Sequence, residues 1–155
     1  MSADTGFSAE QARVLDRALD EIIPASPDGR MPGAGELDLA GAIAAALAAT
    51  PDLVRVIARG VAALEDFAAS RHGQRFAALA PPEQTALLRA LESSEHSFPP
   101  ILMIYTYAAY YQHPRIVAAF GLEPRAPHPR GYEMEPNDLS LLDPVRRRPK
   151  MYREC

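Results

Sequence analysis

The sequence predicts an all-α fold, in which a single helical domain of about five to six helices is followed by a long, extended, proline-rich C-terminal tail. Two observations lead to this prediction. Apolar residues recur every three or four positions through successive runs, and proline or glycine stands at the ends of these runs. From Leu122 onward this period is lost and proline recurs every few residues. We therefore predict a helical domain over residues 1–121 and a tail over residues 122–155.

The first helix begins at a capping signal. Ser8 is followed three residues later by Gln11, which is the spacing of a capping box, and apolar residues then recur on one face as far as Pro24. The next segment, PASPDGRMPGAGE, is rich in turn-forming residues and is predicted to be a loop. Asp38 is placed to cap a second, alanine-rich helix.

The third predicted helix is the longest. Thr50 and Pro51 start it, because proline is favoured at the first helical position, and Gly73 stands after His72 where a left-handed stop is expected. A fourth helix begins on the two prolines of PPEQTALLRALESS.

The fifth predicted helix has an unusual composition. Pro99 and Pro100 open it, and its sequence ILMIYTYAAYYQ is apolar or aromatic nearly all round. Such a helix is either buried on more than one side or faces a partner. Pro114 starts a short sixth helix, which Gly121 ends.

Charge and cysteine content exclude several classes of function. The 155 residues carry a formal net charge of −4 and a pI near 5.5, so the chain has no basic field for a nucleic acid partner. Cys155 is the only cysteine, which excludes an intrachain disulfide and a cysteine pattern for zinc or covalent haem. No dinucleotide, phosphate-loop or nucleophile-elbow motif occurs.

The chain shows no targeting or membrane pattern. Its first residues, MSADTGFSAEQARVLDRALDE, are polar and helix-periodic, unlike a signal peptide. The longest apolar stretch, residues 43–49, is far shorter than the roughly 20 residues of a membrane-spanning helix. We therefore expect no membrane span and a cytoplasmic location.

Three residues form the sharpest candidate for a metal or proton-handling site. Glu92 and His96 stand four apart, and His113 would approach them if the fourth and fifth helices packed antiparallel. Residues near helix ends more often make local hydrogen bonds, so we predict no catalytic residue and no metal ligand. A helical enzyme or small-molecule binder that uses Glu92, His96 and His113 is the alternative.

Four tyrosines of the fifth helix are predicted to bind a partner. They are Tyr105, Tyr107, Tyr110 and Tyr111. Because they cover more than one side of the helix, they permit a buried hydroxyl network, a ligand-contacting face or a partner-contacting face. Core packing is the alternative interpretation.

The tail contains apolar residues that are too sparse to form a core of their own. Their spacing is typical of anchors that insert one by one into another surface, so the tail is predicted to wrap a partner. A tail that folds back over its own helices is the alternative. The predicted partner-binding residues are Tyr132, Met134, Leu139, Leu142 and Tyr152, together with Arg147 from the basic run Arg146, Arg147, Arg148 and Lys150.

The ordered set of elements resembles a known family. An N-terminal helix that runs into EIIP, a long helix followed by GQRFAALAPPEQTALL, and an aromatic helix that ends in YYQHP resemble the gluconate 2-dehydrogenase subunit 3 family from about Phe7 to Gly121. The tail sequence PRGYEMEPNDLSLLDPV is similar to the version found in members paired with flavin-dependent oxidoreductases of the glucose-methanol-choline type.

The resemblance implies a non-catalytic small subunit in a hetero-oligomer. The large subunit of such complexes holds FAD and oxidises a sugar, a sugar acid or a related alcohol, and some complexes have a cytochrome as a third subunit. The small subunit would support folding, flavin loading or assembly, and would hold no cofactor itself. Many members carry a twin-arginine signal, whereas this sequence begins MSADTG, which favours a cytoplasmic complex. The aromatic helix and the tail are also compatible with a free-standing interaction module or with a homo-oligomer.

Overall fold

A computed structural model of the chain describes residues 7–94, 97–126, 128–131 and 133–149. These residues form helices and loops and contain no strand, so the predicted all-α fold is confirmed. The chain divides into two compact units, Met1–Pro124 and Arg125–Cys155.

The described residues of the first unit form six α-helices. They are α1 (Ala9–Ile22), α2 (Leu39–Leu47), α3 (Pro51–His72), α4 (Pro81–Ser93), α5 (Phe98–Gln112) and α6 (Pro114–Ala119), with short 3₁₀ helices over Ala34–Leu37 and Phe76–Ala78. None of the described helices is both long enough and apolar enough to span a bilayer.

Several predicted helix ends are confirmed. The Gln11 amide donates to Ser8 Oγ over 3.2 Å and the Ser8 amide donates to Gln11 Oε1 over 2.8 Å, which completes the capping box of α1. Pro51 occupies the first turn of α3, and Gly73 ends that helix with φ +66°, where a side chain would be strained. Gly121 follows α6 with φ +74°.

The predicted side-chain cap of α2 is wrong. Asp38 does stand at the start of α2, but its backbone is left-handed, with φ +50°, and its side chain makes no capping hydrogen bond. The 3₁₀ helix Ala34–Leu37 immediately before it leaves the chain in this unusual conformation. That 3₁₀ helix is held by other groups, since the Gly35 amide donates to Asp20 Oδ1 over 2.8 Å and the Gly33 amide donates to Glu36 Oε1 over 2.9 Å.

The core lies between the six helices, and α5 is at its centre because it packs against α1, α2, α3, α4 and α6. Gly60 allows α3 and α5 to pack closely, because a Cβ atom at this position would overlap the ring of the fully buried Phe98. The large side chains with essentially no exposed surface are Leu15, Leu19, Leu39, Ile43, Leu47, Ile57, Leu64, Phe76, Leu87, Leu91, Phe98 and Leu102.

The second unit is less extended than predicted. It contains a 3₁₀ helix over Leu139–Leu142 that continues directly into a one-turn helix, α7 (Asp143–Arg146). The Asp138 side chain accepts a hydrogen bond from the Ser140 amide, and Pro144 stands in the first turn of α7. These local features account for the turns, which leave no sustained period in the sequence. No described residue of this unit is buried.

Candidate interaction surface

Helix α5 contains no charged residue along its 15 positions. One side is buried, through residues spaced four apart: Phe98, Leu102, Thr106 and Tyr110. Thr106 satisfies its hydroxyl within the helix, since Oγ1 donates to the Leu102 carbonyl over 2.7 Å. Core packing therefore explains only one side of this uncharged helix.

The opposite side of α5 exposes large apolar groups. Ile104 is 62% exposed, and Met103, Tyr107 and Tyr111 are each more than 40% exposed. Phe120 and Leu122, which follow α6, are also exposed. We call this set the α5 face; its members are Met103, Ile104, Tyr107, Tyr111, Phe120 and Leu122.

Three rings of the α5 face are arranged as a ladder. The Tyr107 and Tyr111 ring centroids lie 6.1 Å apart with an angle of 3° between the ring planes, and Tyr111 and Phe120 lie 6.2 Å apart at 26°. The ladder rests on the core through Tyr110, whose ring meets Tyr111 edge to face over 5.2 Å. A row of supported aromatic rings presents a large apolar area at little cost in side-chain entropy.

Two of the four predicted tyrosines lie elsewhere. Tyr110 is 2% exposed, its hydroxyl donates to the Pro32 carbonyl over 2.8 Å, and burial raises the pKa of its phenol. Tyr105 is half-buried and packs against the core. The structure therefore corrects the expected placement of Tyr110 from a binding surface to the interior. Tyr107 and Tyr111 remain on the surface.

The tail residues that were predicted to bind a partner are exposed where the structure describes them. Met134 is 84% exposed, and Leu139, Leu142 and Arg147 are also exposed. Tyr132 and Tyr152 lie outside the described residues. Within the second unit these side chains are available to another molecule.

Sequence reasoning missed four members of the α5 face: Met103, Ile104, Phe120 and Leu122. Leu141 and Val145, which share the anchor-like spacing of the tail in the sequence, are 74% and 55% exposed. The absence of charged residues along α5 indicates that more than one side of the helix is covered, but it does not indicate which side packs on the core. Only the packing of Phe98 and Leu102 against the core shows which side is left open.

Glu92 and His113, the two candidate metal or proton-handling residues that the structure describes, are not brought together. Glu92 lines a cleft with Pro99, Pro100 and Met103, at the start of α5, whereas His113 lines another cleft beside α2 at the end of α5. A 15-residue helix is roughly 22 Å long. An antiparallel pairing of α4 and α5 places the end of one beside the start of the other, so it separates His113 from Glu92.

His113 has a local role instead. Its Nδ1 accepts a hydrogen bond from the Arg115 amide over 3.3 Å at the start of α6. His96 lies outside the described residues. Within the part of the chain that the structure describes, no group of three histidine, cysteine or acidic side chains is close enough to hold a metal ion.

One carboxylate of the first unit is poorly accommodated. Asp16 Oδ1 is buried and has no hydrogen-bond partner among the described residues. Burial raises the pKa of Asp16, and the neighbouring Asp38 and Asp20 carboxylates raise it further against the opposing effect of Arg17. Ionised Asp16 is therefore a local cost to the fold at neutral pH.

The fold and the surface together define a class of protein: a small all-α domain with an uncharged, partly exposed helix and an exposed, apolar-studded tail. A family model described as Gluconate 2-dehydrogenase subunit 3 matches residues 9–122. The chain belongs to this family, as its resemblance predicted, and membership indicates an accessory subunit of a dehydrogenase complex. No curated protein and no solved structure matches the chain.

Proposed function

We propose that this protein is a non-catalytic small subunit that binds and stabilises a large FAD-dependent dehydrogenase of sugars or alcohols, by aiding its folding, flavin loading or assembly. The α5 face is the observation that carries the proposal. It combines an uncharged helix with six exposed large apolar side chains in a member of a dehydrogenase-subunit family.

The energetics of the α5 face favour a permanently covered surface. Isolated exposed apolar residues are common on soluble proteins, but a contiguous set marks an interaction site. Full burial of one such side chain contributes roughly 1.5 to 3 kcal/mol, before the costs of association are subtracted. The aromatic ladder of Tyr107, Tyr111 and Phe120 has the composition that dominates interface cores.

The tail supplies a second contact in this proposal. Its exposed anchors, including Met134 and Leu142, are joined covalently to the α5 face, so binding of one raises the effective concentration of the other. An accessory subunit held at two places dissociates slowly even when each contact is modest. A second contact through the tail would thus keep this small subunit bound to the large subunit.

The redox chemistry belongs to the large subunit in this proposal. The FAD, the substrate and the electron acceptor would all lie there, and a cytochrome subunit and a cytoplasmic location remain predictions. The enzymatic alternative has no comparable support, because Glu92 and His113 line separate clefts.

The proposal is tested by a tagged pulldown from native cells, followed by a visible spectrum of the eluate and identification of the chains in it. We expect a flavin spectrum and one large copurifying chain. The double variant Tyr107→Ser with Tyr111→Ser should lose the flavoprotein. The control Ser93→Ala, at an exposed position near the end of α4, should retain it. A colourless, soluble monomer from the unaltered chain would contradict the proposal.

A further inference from the structure

The tail contains a short segment with two chemically different sides. The 3₁₀ helix Leu139–Leu142 and α7 (Asp143–Arg146) follow each other without a break, and we call residues 139–146 the tail helix. In a 3₁₀ helix, side chains three residues apart lie on the same side, and in an α-helix they remain neighbours. Spacing by three therefore divides the tail helix into rows.

One of these rows is entirely apolar. It consists of Leu139, Leu142 and Val145, which are 58%, 45% and 55% exposed. The adjacent row consists of Ser140, Asp143 and Arg146 and is entirely polar. The third row mixes Leu141 with Pro144 and Arg147. The tail helix therefore has an apolar side that the described residues of its own unit leave exposed.

The tail helix is ordered by its own hydrogen bonds. Asp138 Oδ1 accepts from the Ser140 amide over 3.0 Å and from Ser140 Oγ over 2.6 Å, and these bonds lower the pKa of Asp138. Arg146 Nη1 lies 3.4 Å from Asp143 Oδ1, and the Arg147 amide donates to the Asp143 carbonyl over 3.2 Å. Prior ordering of the apolar row lowers the entropic cost of docking it.

The end of the tail helix is basic in an acidic chain. Arg146, Arg147 and Arg148 are consecutive and exposed, whereas the chain as a whole carries −4. Positive charge beside an apolar row is complementary to a groove with an apolar floor and an acidic rim. The same charge would oppose docking onto a basic surface.

We propose that the tail helix docks as a helix into such a groove, with an apolar floor and an acidic rim, on the large dehydrogenase subunit. This inference rests on the function proposed above and adds the chemistry of the receiving surface. Leu139, Leu142 and Val145 fill the floor, and Arg147 and Arg148 face the rim. Leu141, the most exposed leucine of the segment, stays outside the groove.

The test compares leucines within the segment. Full-length chains are mixed with the flavoprotein recovered in the pulldown, and affinity is measured by biolayer interferometry. Leu142→Ser and Leu139→Ser should each weaken binding by about tenfold, since each removes a buried apolar side chain. Leu141→Ser, the matched control, should change affinity by less than about twofold. Equal losses at Leu141 and Leu142 would overturn the proposed face.

The charge arm uses the double variant Arg147→Gln with Arg148→Gln and the control Arg130→Gln elsewhere in the tail. At low salt the double variant should bind about three- to tenfold more weakly than the unaltered chain, and high salt should remove the difference. Arg130→Gln should bind as the unaltered chain does. A double variant that binds as tightly at low salt would overturn the acidic rim.

Two other occupants are separated in the same experiments. Vesicles of phosphatidylglycerol and phosphatidylcholine should not retain the chain; retention that Leu142→Ser abolishes, with flavoprotein affinity unchanged, would overturn the inference in favour of a membrane surface. If the unaltered chain forms no flavoprotein complex, the proposed function fails and this inference fails with it. If the complex forms but all tail variants bind equally, only this inference fails.

Discussion

The two units of the chain use their apolar residues in opposite ways. In the first unit, leucines and phenylalanines from α1 to α5 meet in one core, and Phe98 packs so closely on α3 that Gly60 has no room for a side chain. In the second unit, the large apolar side chains that the structure describes are all exposed: Met134, Leu139, Leu141, Leu142 and Val145. Apolar content alone therefore does not indicate a core. The packing of the apolar residues decides whether they stabilise this chain or stay exposed for contact with another molecule.

The first prediction compares two phenylalanines. Phe98→Ala should lower the free energy of unfolding by about 3 to 5 kcal/mol, because it empties a fully buried site beside Gly60. Phe120→Ala should lower it by less than about 0.5 kcal/mol, because that ring is 57% exposed. Urea unfolding followed by circular dichroism measures both. Similar losses at the two positions would break the distinction between core and surface.

The second prediction compares two adjacent tyrosines. Tyr110→Phe should cost about 1 to 2 kcal/mol, because it leaves the Pro32 carbonyl without its buried donor. Tyr111→Phe should change stability by less than about 0.5 kcal/mol, since its ring is half exposed. Thermal unfolding of the isolated chain resolves the pair. A larger loss at Tyr111 would mean that its ring, and not that of Tyr110, belongs to the core.

The third prediction concerns pH. A raised pKa means that folded Asp16 binds its proton more tightly than the unfolded chain, whose value is near 3.8. The stability that this proton contributes is fully present below that value and is lost as pH rises through the raised folded pKa. Asp16→Asn should therefore unfold less readily than the parent chain at pH 7, by a few tenths of a kcal/mol to at most about 1 kcal/mol, because solvent screens this partly exposed carboxylate.

The advantage of Asp16→Asn should disappear as pH falls below the unfolded pKa, where the parent carboxyl is protonated in both states. Unfolding curves at about pH 3 and at pH 7 make the comparison, because the lower pH must lie below the unfolded value of 3.8. The control is Asp20→Ala, which should destabilise at pH 7, since it removes the oxygen that accepts the Gly35 amide over 2.8 Å. An Asp16→Asn chain less stable than its parent at pH 7 would show that the carboxylate has a partner.

The smallest expected effect on stability comes from the tail. Deletion from Arg125 onward removes no buried residue that the structure describes, so the helical unit should unfold within about 0.5 kcal/mol of the full chain. The same deletion should strongly weaken the complex. Scanning calorimetry and the pulldown measure the two consequences separately, and a large fall in melting temperature would show that the tail stabilises its own domain.

Much of the fold followed from local signals. Three of these signals each favour one position in a helix: the capping box of Ser8 and Gln11 and the proline at position 51 favour a start, and Gly73 favours an end. Their positions therefore predict helix ends directly. Asp38 misled because aspartate suits both a side-chain cap and a left-handed backbone, and the 3₁₀ helix before it decided between them. The tail turns were missed because Asp138 and Ser140 act over two residues, below the length of any period.

The candidate surface was less predictable than the fold. In a helix without charges, no periodic contrast marks the buried side, so Tyr110 and Tyr111 were indistinguishable in sequence. Tertiary packing separates them, since Tyr110 reaches the Pro32 carbonyl in a distant loop. The separation of Glu92 from His113 has another cause: the end of α4 lies beside the start of α5, and His113 follows the far end of α5.

The central claim is that the α5 face binds a flavoprotein partner while the buried side of the same helix stabilises the fold. It is tested most directly by measuring both stability and flavoprotein affinity for Tyr107→Ser with Tyr111→Ser, beside Tyr110→Phe. The account predicts that the surface pair loses affinity by about tenfold or more and unfolds nearly as the parent chain does, whereas Tyr110→Phe loses stability and, while folded, keeps its affinity. A surface pair that binds the flavoprotein as tightly as the parent chain would contradict it.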